Sequence, residues 1–315
     1  MKNKFVRLTL LLALATVAAN PLTSQEPQKK PGDVRVDVTV TAISIAVTVQ
    51  DKAGKYINNL EAKDFAVYEN TDKRPITYFN HNFMSPLSLT VLLDVSGSMG
   101  VLNKLEEVKV GIRDMITKEL RPNDEVSLLI FADGQVEVAA PFSTDRTAFL
   151  STLEKLQPFG QTALNDAVAV SPEFANRGHN EKRALLLVTD GVENDSRVTP
   201  EEAVEIARRV DIPIYTIGYK IPLSDQLLKM LKRGKAVTSE GIVATLDRFS
   251  RATGGKAVFV NEPSEMYQAM RELKQEQSHQ YLIGYTSYKD LSGAYRRIRV
   301  MVPGKSYKVR TREGY

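Results

Sequence analysis

Residues 88–100 read Ser-Leu-Thr-Val-Leu-Leu-Asp-Val-Ser-Gly-Ser-Met-Gly. An apolar run rich in branched side chains, too short for an independent helix, stops at an aspartate followed by two hydroxyls and two glycines. That pattern is a buried strand feeding a tight polar loop. In a protein that alternates strands and helices, the loop at the carboxyl end of a central strand is where ligands bind, because strand ends and helix N-termini converge there. Asp94, Ser96 and Ser98 then crowd three oxygen side chains into one crevice.

The chain that follows supports such a context. Residues 105–120 have helical spacing, and 125–131 form the next buried strand, with 135–139 as a hairpin partner at the sheet edge. Ser143, Thr144 and Asp145 cap a helix through Leu156, and a loop at 160–162 turns into another helix. Residues 183–190 repeat the opening habit: Ala-Leu-Leu-Leu-Val-Thr runs apolar into a terminal aspartate, Asp190. Thr199-Pro200-Glu201-Glu202 starts a helix, since proline and acids suit a first turn. Residues 212–218 and 256–260 are further strands, and 246–253 and 263–277 further helices. This order predicts an α/β fold: a doubly wound, mostly parallel central sheet with helices on both faces.

The two ends of the chain have a different character. Val34, Val36, Val38 and Val40 alternate with polar residues, and 43–49 repeats the habit. A turn at 51–55, a strand at 65–69, a turn at 70–75 and a strand at 76–79 complete a small β unit. After the last helix, 281–285, 296–302 and 307–310 return to strand patterning, with turns at 291–293 and 303–304. Because short strands open and close the chain, residues 33–83 and 279–315 are expected to form one all-β accessory sandwich into which the α/β domain, 84–278, is inserted, with two separate β units as the alternative.

At the N-terminus Lys2, Lys4 and Arg7 precede an apolar run over 8–19, with Val17 and Ala19 small enough for a cleavage site, so 1–19 reads as a signal peptide and 20–32 as a flexible leader. A retained membrane anchor is the alternative for that run. With no cysteine in the chain, a lipid anchor on cysteine and disulfides are excluded, and the expected product is an exported protein, periplasmic, secreted or at the cell surface, with no transmembrane span in its mature form. The formal net charge of +4 falls to about +1 once those three basic residues are set aside, which offers nucleic acid nothing to bind.

If the sheet is parallel, Asp94 and Asp190 emerge at the same edge, with the Gly-x-Thr loop ending at Thr162 between them. Asp94, Ser96, Ser98, Thr162 and Asp190 together suit a hard cation, Mg²⁺ first and Ca²⁺ or Mn²⁺ as alternatives. Three histidines and no cysteine argue against zinc. The Asp-Val-Ser-Gly-Ser at 94–98, Thr162 and the Thr-Asp-Gly at 189–191 resemble the metal-ion-dependent adhesion site of von Willebrand factor type A domains, over roughly residues 87–278. Leu-Glu-Ala-Lys-Asp-Phe-Ala-Val-Tyr-Glu at 60–69, Ala-Thr-Gly-Gly at 252–255 and Tyr-Leu-Ile-Gly-Tyr at 281–285 are similar to the bacterial exported group of that family. The resemblance implies that Asp94 and Asp190 act partly through bound water and that a protein partner supplies an Asp or Glu to the cation. A cation held mainly by neutral hydroxyls keeps much of its charge, which fits that expectation.

Two other readings compete. Ser98, Asp190 and His279 occur in the order of a serine hydrolase, and Ser96-Gly97-Ser98-Met99-Gly100 is a near miss to a nucleophile elbow. A scaffold that keeps the fold with no working ion site is the third. Residues 219–241, after the strand ending at Gly218, are longer than a usual connection and fall beside the proposed metal edge. Leu223, Leu227, Leu228 and Leu231 at helical spacing, among Lys229, Lys232, Arg233 and Lys235, suggest either a packed helix or a specificity surface for acidic partners.

Overall fold

The computed structural model describes residues 39–81, 84–221, 239–289 and 294–315, all within one compact unit, Val38–Tyr315. The signal peptide and leader, residues 34–38, most of the segment 219–241 and the turn at 291–293 lie outside the described residues.

The central sheet has six strands. They are β5 (Leu87–Asp94), β6 (Glu125–Ala132), β7 (Gln135–Ser143), β8 (Lys182–Thr189), β9 (Ile214–Tyr219) and β10 (Ala257–Val260), in the order β10-β9-β8-β5-β6-β7. All neighbours run parallel except β7, which returns antiparallel from β6 at the edge. Strand β5 is buried along its whole length because helices cover both faces, so its side chains divide by alternation. Leu89, Val91 and Leu93 face the helices α1 (Lys104–Lys118), α2 (Arg146–Lys155) and α6 (Pro263–Ser278), through Ile112, Phe149 and Met270 among others. Leu92 faces α3 (Leu164–Ala175), α4 (Pro200–Ala207) and α5 (Ser239–Thr253), through Val168, Val204 and Leu246. Each such buried Leu or Val contributes ~2 kcal/mol.

The predicted helix starts hold locally. The Asp145 carboxylate accepts from the backbone N–H groups of Thr147 and Ala148, and Thr199 and Glu202 form a reciprocal capping box behind Pro200.

Both ends of the chain build two further antiparallel sheets. One has the order β13-β1-β11-β4, from β13 (Lys308–Arg310), β1 (Thr39–Gln50), β11 (Tyr281–Lys289) and β4 (Ile76–Asn80). The other is β12-β2-β3, from β12 (Ile298–Met301), β2 (Ala66–Glu69) and β3 (Asp72–Arg74). Strands from before and after the α/β region alternate in the first sheet and meet at the β12-β2 pair in the second, and Ile45, Val47, Phe65, Val67, Tyr281, Ile283, Ile298 and Val300 share one core between them. Within 70–75 the structure differs from expectation. Asn70, at φ 54, makes the turn, and Asp72–Arg74 pairs with β2 as a strand despite its polar composition. Pairing with a neighbour overrides propensity there.

Candidate functional site

Strands β5 and β8 are adjacent and parallel, with Leu93 beside Val188. Their last residues therefore emerge together at the carboxyl edge. Asp94 is fully buried. Its Oδ1 accepts from the Ser96 N–H at 2.9 Å, and its Oδ2 accepts from the Thr189 hydroxyl at 2.6 Å. Thr189 in turn accepts from the Gly191 N–H at 2.9 Å, which links the two strand ends through one hydroxyl. Asp190 is also fully buried. Its Oδ1 accepts from the Val192 N–H at 3.1 Å and its Oδ2 from the Lys104 ammonium at 2.7 Å.

After Asp94 the chain enters a 3₁₀ turn, in which the Ser96 and Ser98 hydroxyl oxygens lie 3.1 Å apart, both buried. The loop carrying Thr162 is fastened to both neighbours. Gly97 N–H donates to the Gly160 carbonyl at 3.0 Å and Phe159 N–H to the Val95 carbonyl at 2.8 Å. Thr162 N–H donates to Asn194 Oδ1 at 2.8 Å, and the Thr162 carbonyl accepts from the N–H groups of Asn194 and Asp195. The structure thus brings together the three loops that bear Asp94, Ser96, Ser98, Thr162 and Asp190, and all five residues are buried.

Gly160 makes this approach feasible. Its φ is 67°, and an added Cβ would fall 2.2 Å from the Asp133 carboxylate, whose Oδ1 accepts from Gln161 N–H at 2.7 Å. Gly160→Ala is expected to cost ~2 kcal/mol, from left-handed backbone strain and displacement of Asp133. Urea unfolding measures it, and a variant as stable as the wild type would show that the loop tolerates another geometry.

The electrostatics of the site are unbalanced. Burial, and then the negative charge of Asp190, push the Asp94 carboxyl up to about 7 against the hydrogen bonds from Ser96 and Thr189. Two buried carboxylates face one ammonium, Lys104, which leaves a charge for a further cation to balance. Among the described residues no group of three or more His, Cys, Asp or Glu side chains is placed to hold a metal ion. A cation here therefore depends on the hydroxyls of Ser96, Ser98 and Thr162 as well as on the two carboxylates. That donor set, all oxygen and mostly neutral, fits a hard divalent cation.

Sequence reasoning did not single out Lys104, Asn194 or Asp133, nor Thr189 as the link between Asp94 and the Thr-Asp-Gly turn. None of the four carried a signal that set it apart: Lys104 opens a helix beside Glu106 and Glu107, a pattern that an ordinary solvated helix start also shows.

The hydrolase reading loses its histidine. His279 caps the far end of α6, its ring stacks on Tyr56 with centroids 4.5 Å apart, and its Nδ1 lies 2.6 Å from the Gln275 carbonyl. Asp190 pairs with Lys104 and the Ser98 hydroxyl lies against Ser96, so Ser98, Asp190 and His279 form no triad.

A doubly wound α/β domain with an oxygen-rich crevice where its central strands end defines a class of ligand-binding fold. Residues 89–193 match the model of the von Willebrand factor type A domain family, and this chain carries such a domain. An uncharacterized protein of Borreliella burgdorferi is 26% identical over 204 residues, covering 60% of this chain and 58% of its own length. The mouse collagen alpha-1(VI) chain is 27% identical over 181 residues, covering 53% of this chain and 17% of its own. The chain therefore spans less than two thirds of the curated relatives it matches. The crystal structure of BatB from Bacteroides thetaiotaomicron is 22% identical, covering 60% of this chain and 98% of that one, with a TM-score of 0.45.

Proposed function

We propose that this protein is an exported protein-binding module whose type A domain captures an acidic side chain of a partner protein through a divalent cation, Mg²⁺ first. The observation that carries the reading is the meeting of three loops that bury two carboxylates and three hydroxyls at the carboxyl edge of the sheet. Ser96, Ser98 and Thr162 would hold the cation directly, and Asp94 and Asp190 would balance its charge, in part through water. A cation ligated mainly by neutral oxygens supplies an electrophilic open position for an incoming Asp or Glu carboxylate. Asn194, Asp133 and the glycines fix the loops so that the hydroxyls need little rearrangement on binding. Export rests on the sequence of residues 1–19. No described helix is long and apolar enough to cross a membrane.

Partner capture from the exported fraction is expected to disappear in EDTA and to return with added Mg²⁺ or Mn²⁺. Capture that ignores the chelator would favour the idle-site scaffold, and covalent labelling of Ser98 by a phosphonate would favour the hydrolase.

A further inference from the structure

Lys104 has no part in the reading above, yet it is built into the same crevice. Its side chain is 3% exposed, and its ammonium lies 2.7 Å from Asp190 Oδ2, which is fully buried. The backbone leading to it is strained. Leu102 and Asn103 both adopt left-handed geometry, at φ 55° and 56°, a costly conformation for Leu102 that Asn103 tolerates better. That double turn carries the chain from the 3₁₀ segment into α1 and sets Lys104 as the first helical residue. A buried cation at the positive end of a helix is unfavourable in itself. Asp190 is the partner that offsets it, so strain, burial and dipole all oppose this placement and one carboxylate holds it.

We propose that Lys104 is a built-in counter-cation of the crevice, which weakens binding of the divalent ion and strengthens the loaded site's attraction for an outside carboxylate. The inference rests on the cation-dependent reading above. Once a divalent ion is bound and Asp94 and Asp190 are both ionised beside it, a charged Lys104 leaves the crevice with one net positive charge. Without the ammonium, the same ion would meet two negative charges and leave the loaded site neutral. A neutral loaded site draws an acidic partner less strongly. Lys104 therefore trades cation affinity for partner affinity, and it keeps Asp190 compensated while no ion is bound.

The test titrates Mn²⁺ or Mg²⁺ alone into the full chain by calorimetry, comparing wild type with Lys104→Met and Lys104→Arg. Thermal melts in EDTA and in Mn²⁺ accompany the titration. Lys104→Met is expected to bind the ion at least about tenfold more tightly, from removal of a like charge at contact range in a buried site. It is also expected to melt earlier than wild type in EDTA, with much of the difference recovered in Mn²⁺. Lys104→Arg keeps the charge and should bind the ion within about threefold of wild type. Wild-type binding with Lys104→Met unchanged or weaker would overturn the role of Lys104 and leave the cation site standing. No binding by wild type or by either variant would overturn the cation reading itself, and this inference with it. A Lys104→Met protein that folds only in Mn²⁺ would support the proposal through its melts.

Discussion

Asp94→Asn is expected to reduce divalent-cation affinity by about 100-fold or more, ~2.7 kcal/mol, while leaving the cation-free protein at least as stable as the wild type. The two halves of this result have opposite origins. The amide keeps an oxygen where Oδ1 accepts from Ser96 N–H, and its NH₂ can donate to the Thr189 hydroxyl at the position of Oδ2. What the substitution removes is a buried charge that faces Asp190 and that burial already opposes. In the empty crevice that charge is a burden, and with a divalent ion present it is a ligand's counter-charge. Calorimetric titration with Mn²⁺ and thermal melts in EDTA read the two effects separately. A variant that binds Mn²⁺ like the wild type would place the ion elsewhere. One that melts far below wild type in EDTA would show that Asp94 is needed for folding, not for capture.

The framework of this site was legible because buried strands announce themselves. The runs into Asp94 and Asp190 include unbroken apolar stretches, residues 91–93 and 184–188, which only a strand covered on both faces tolerates, and the abrupt polar break marks where each strand leaves the core. Thr162 was placed by the order of the elements and by family resemblance, since a Gly-x-Thr loop has no distinctive pattern of its own. Lys104 was not legible as a site residue. A lysine next to Glu106 and Glu107 at a helix start looks solvated, and only the three-dimensional approach of Asp190 buries it. The polar side chains of Asp72–Arg74 read as a turn, and its strand geometry comes from pairing with β2. The interleaving of the two chain ends was readable from the return of period-two alternation after α6. Which strands pair was not, because alternation fixes the face of a strand and leaves its partner open.

One buried carboxylate bridges the interleaved strands, and its removal is the second large effect expected. Glu69, at the end of β2, accepts from Ser287 Oγ at 2.7 Å, Arg296 at 2.8 Å, Arg74 Nε at 3.1 Å and the Tyr315 hydroxyl at 3.1 Å. Two of these partners precede β12 or end the chain and one lies on β11, so a single side chain from the N-terminal strands holds the C-terminal ones in register. Glu69→Ala removes the carboxylate that Arg74 and Arg296 share in a largely buried setting, at an expected cost of ~3–5 kcal/mol in urea unfolding. Glu69→Gln keeps the shape and loses the charge, and should cost less. The carboxyl also sets a pH dependence. Burial raises its pKa, but the hydrogen bonds from Ser287 and Arg296 and the charge of Arg74 outweigh burial and hold it below the ordinary glutamate value. Its contribution is therefore fully present above that ordinary value and is lost as pH falls through the lower, folded one. Amide exchange in β2 and β12 should accelerate selectively in Glu69→Ala at neutral pH, and in wild type on acidification. The α/β sheet should stay protected in both cases, because the hydrogen-bond partners of Glu69 described above lie on the β3, β11 and C-terminal segments. Uniform acceleration across the whole chain would show instead that the sandwich and the α/β core unfold as one cooperative unit, and a loss under ~0.5 kcal/mol would show that the apolar core around Ile45 and Tyr281 holds the chain ends without Glu69.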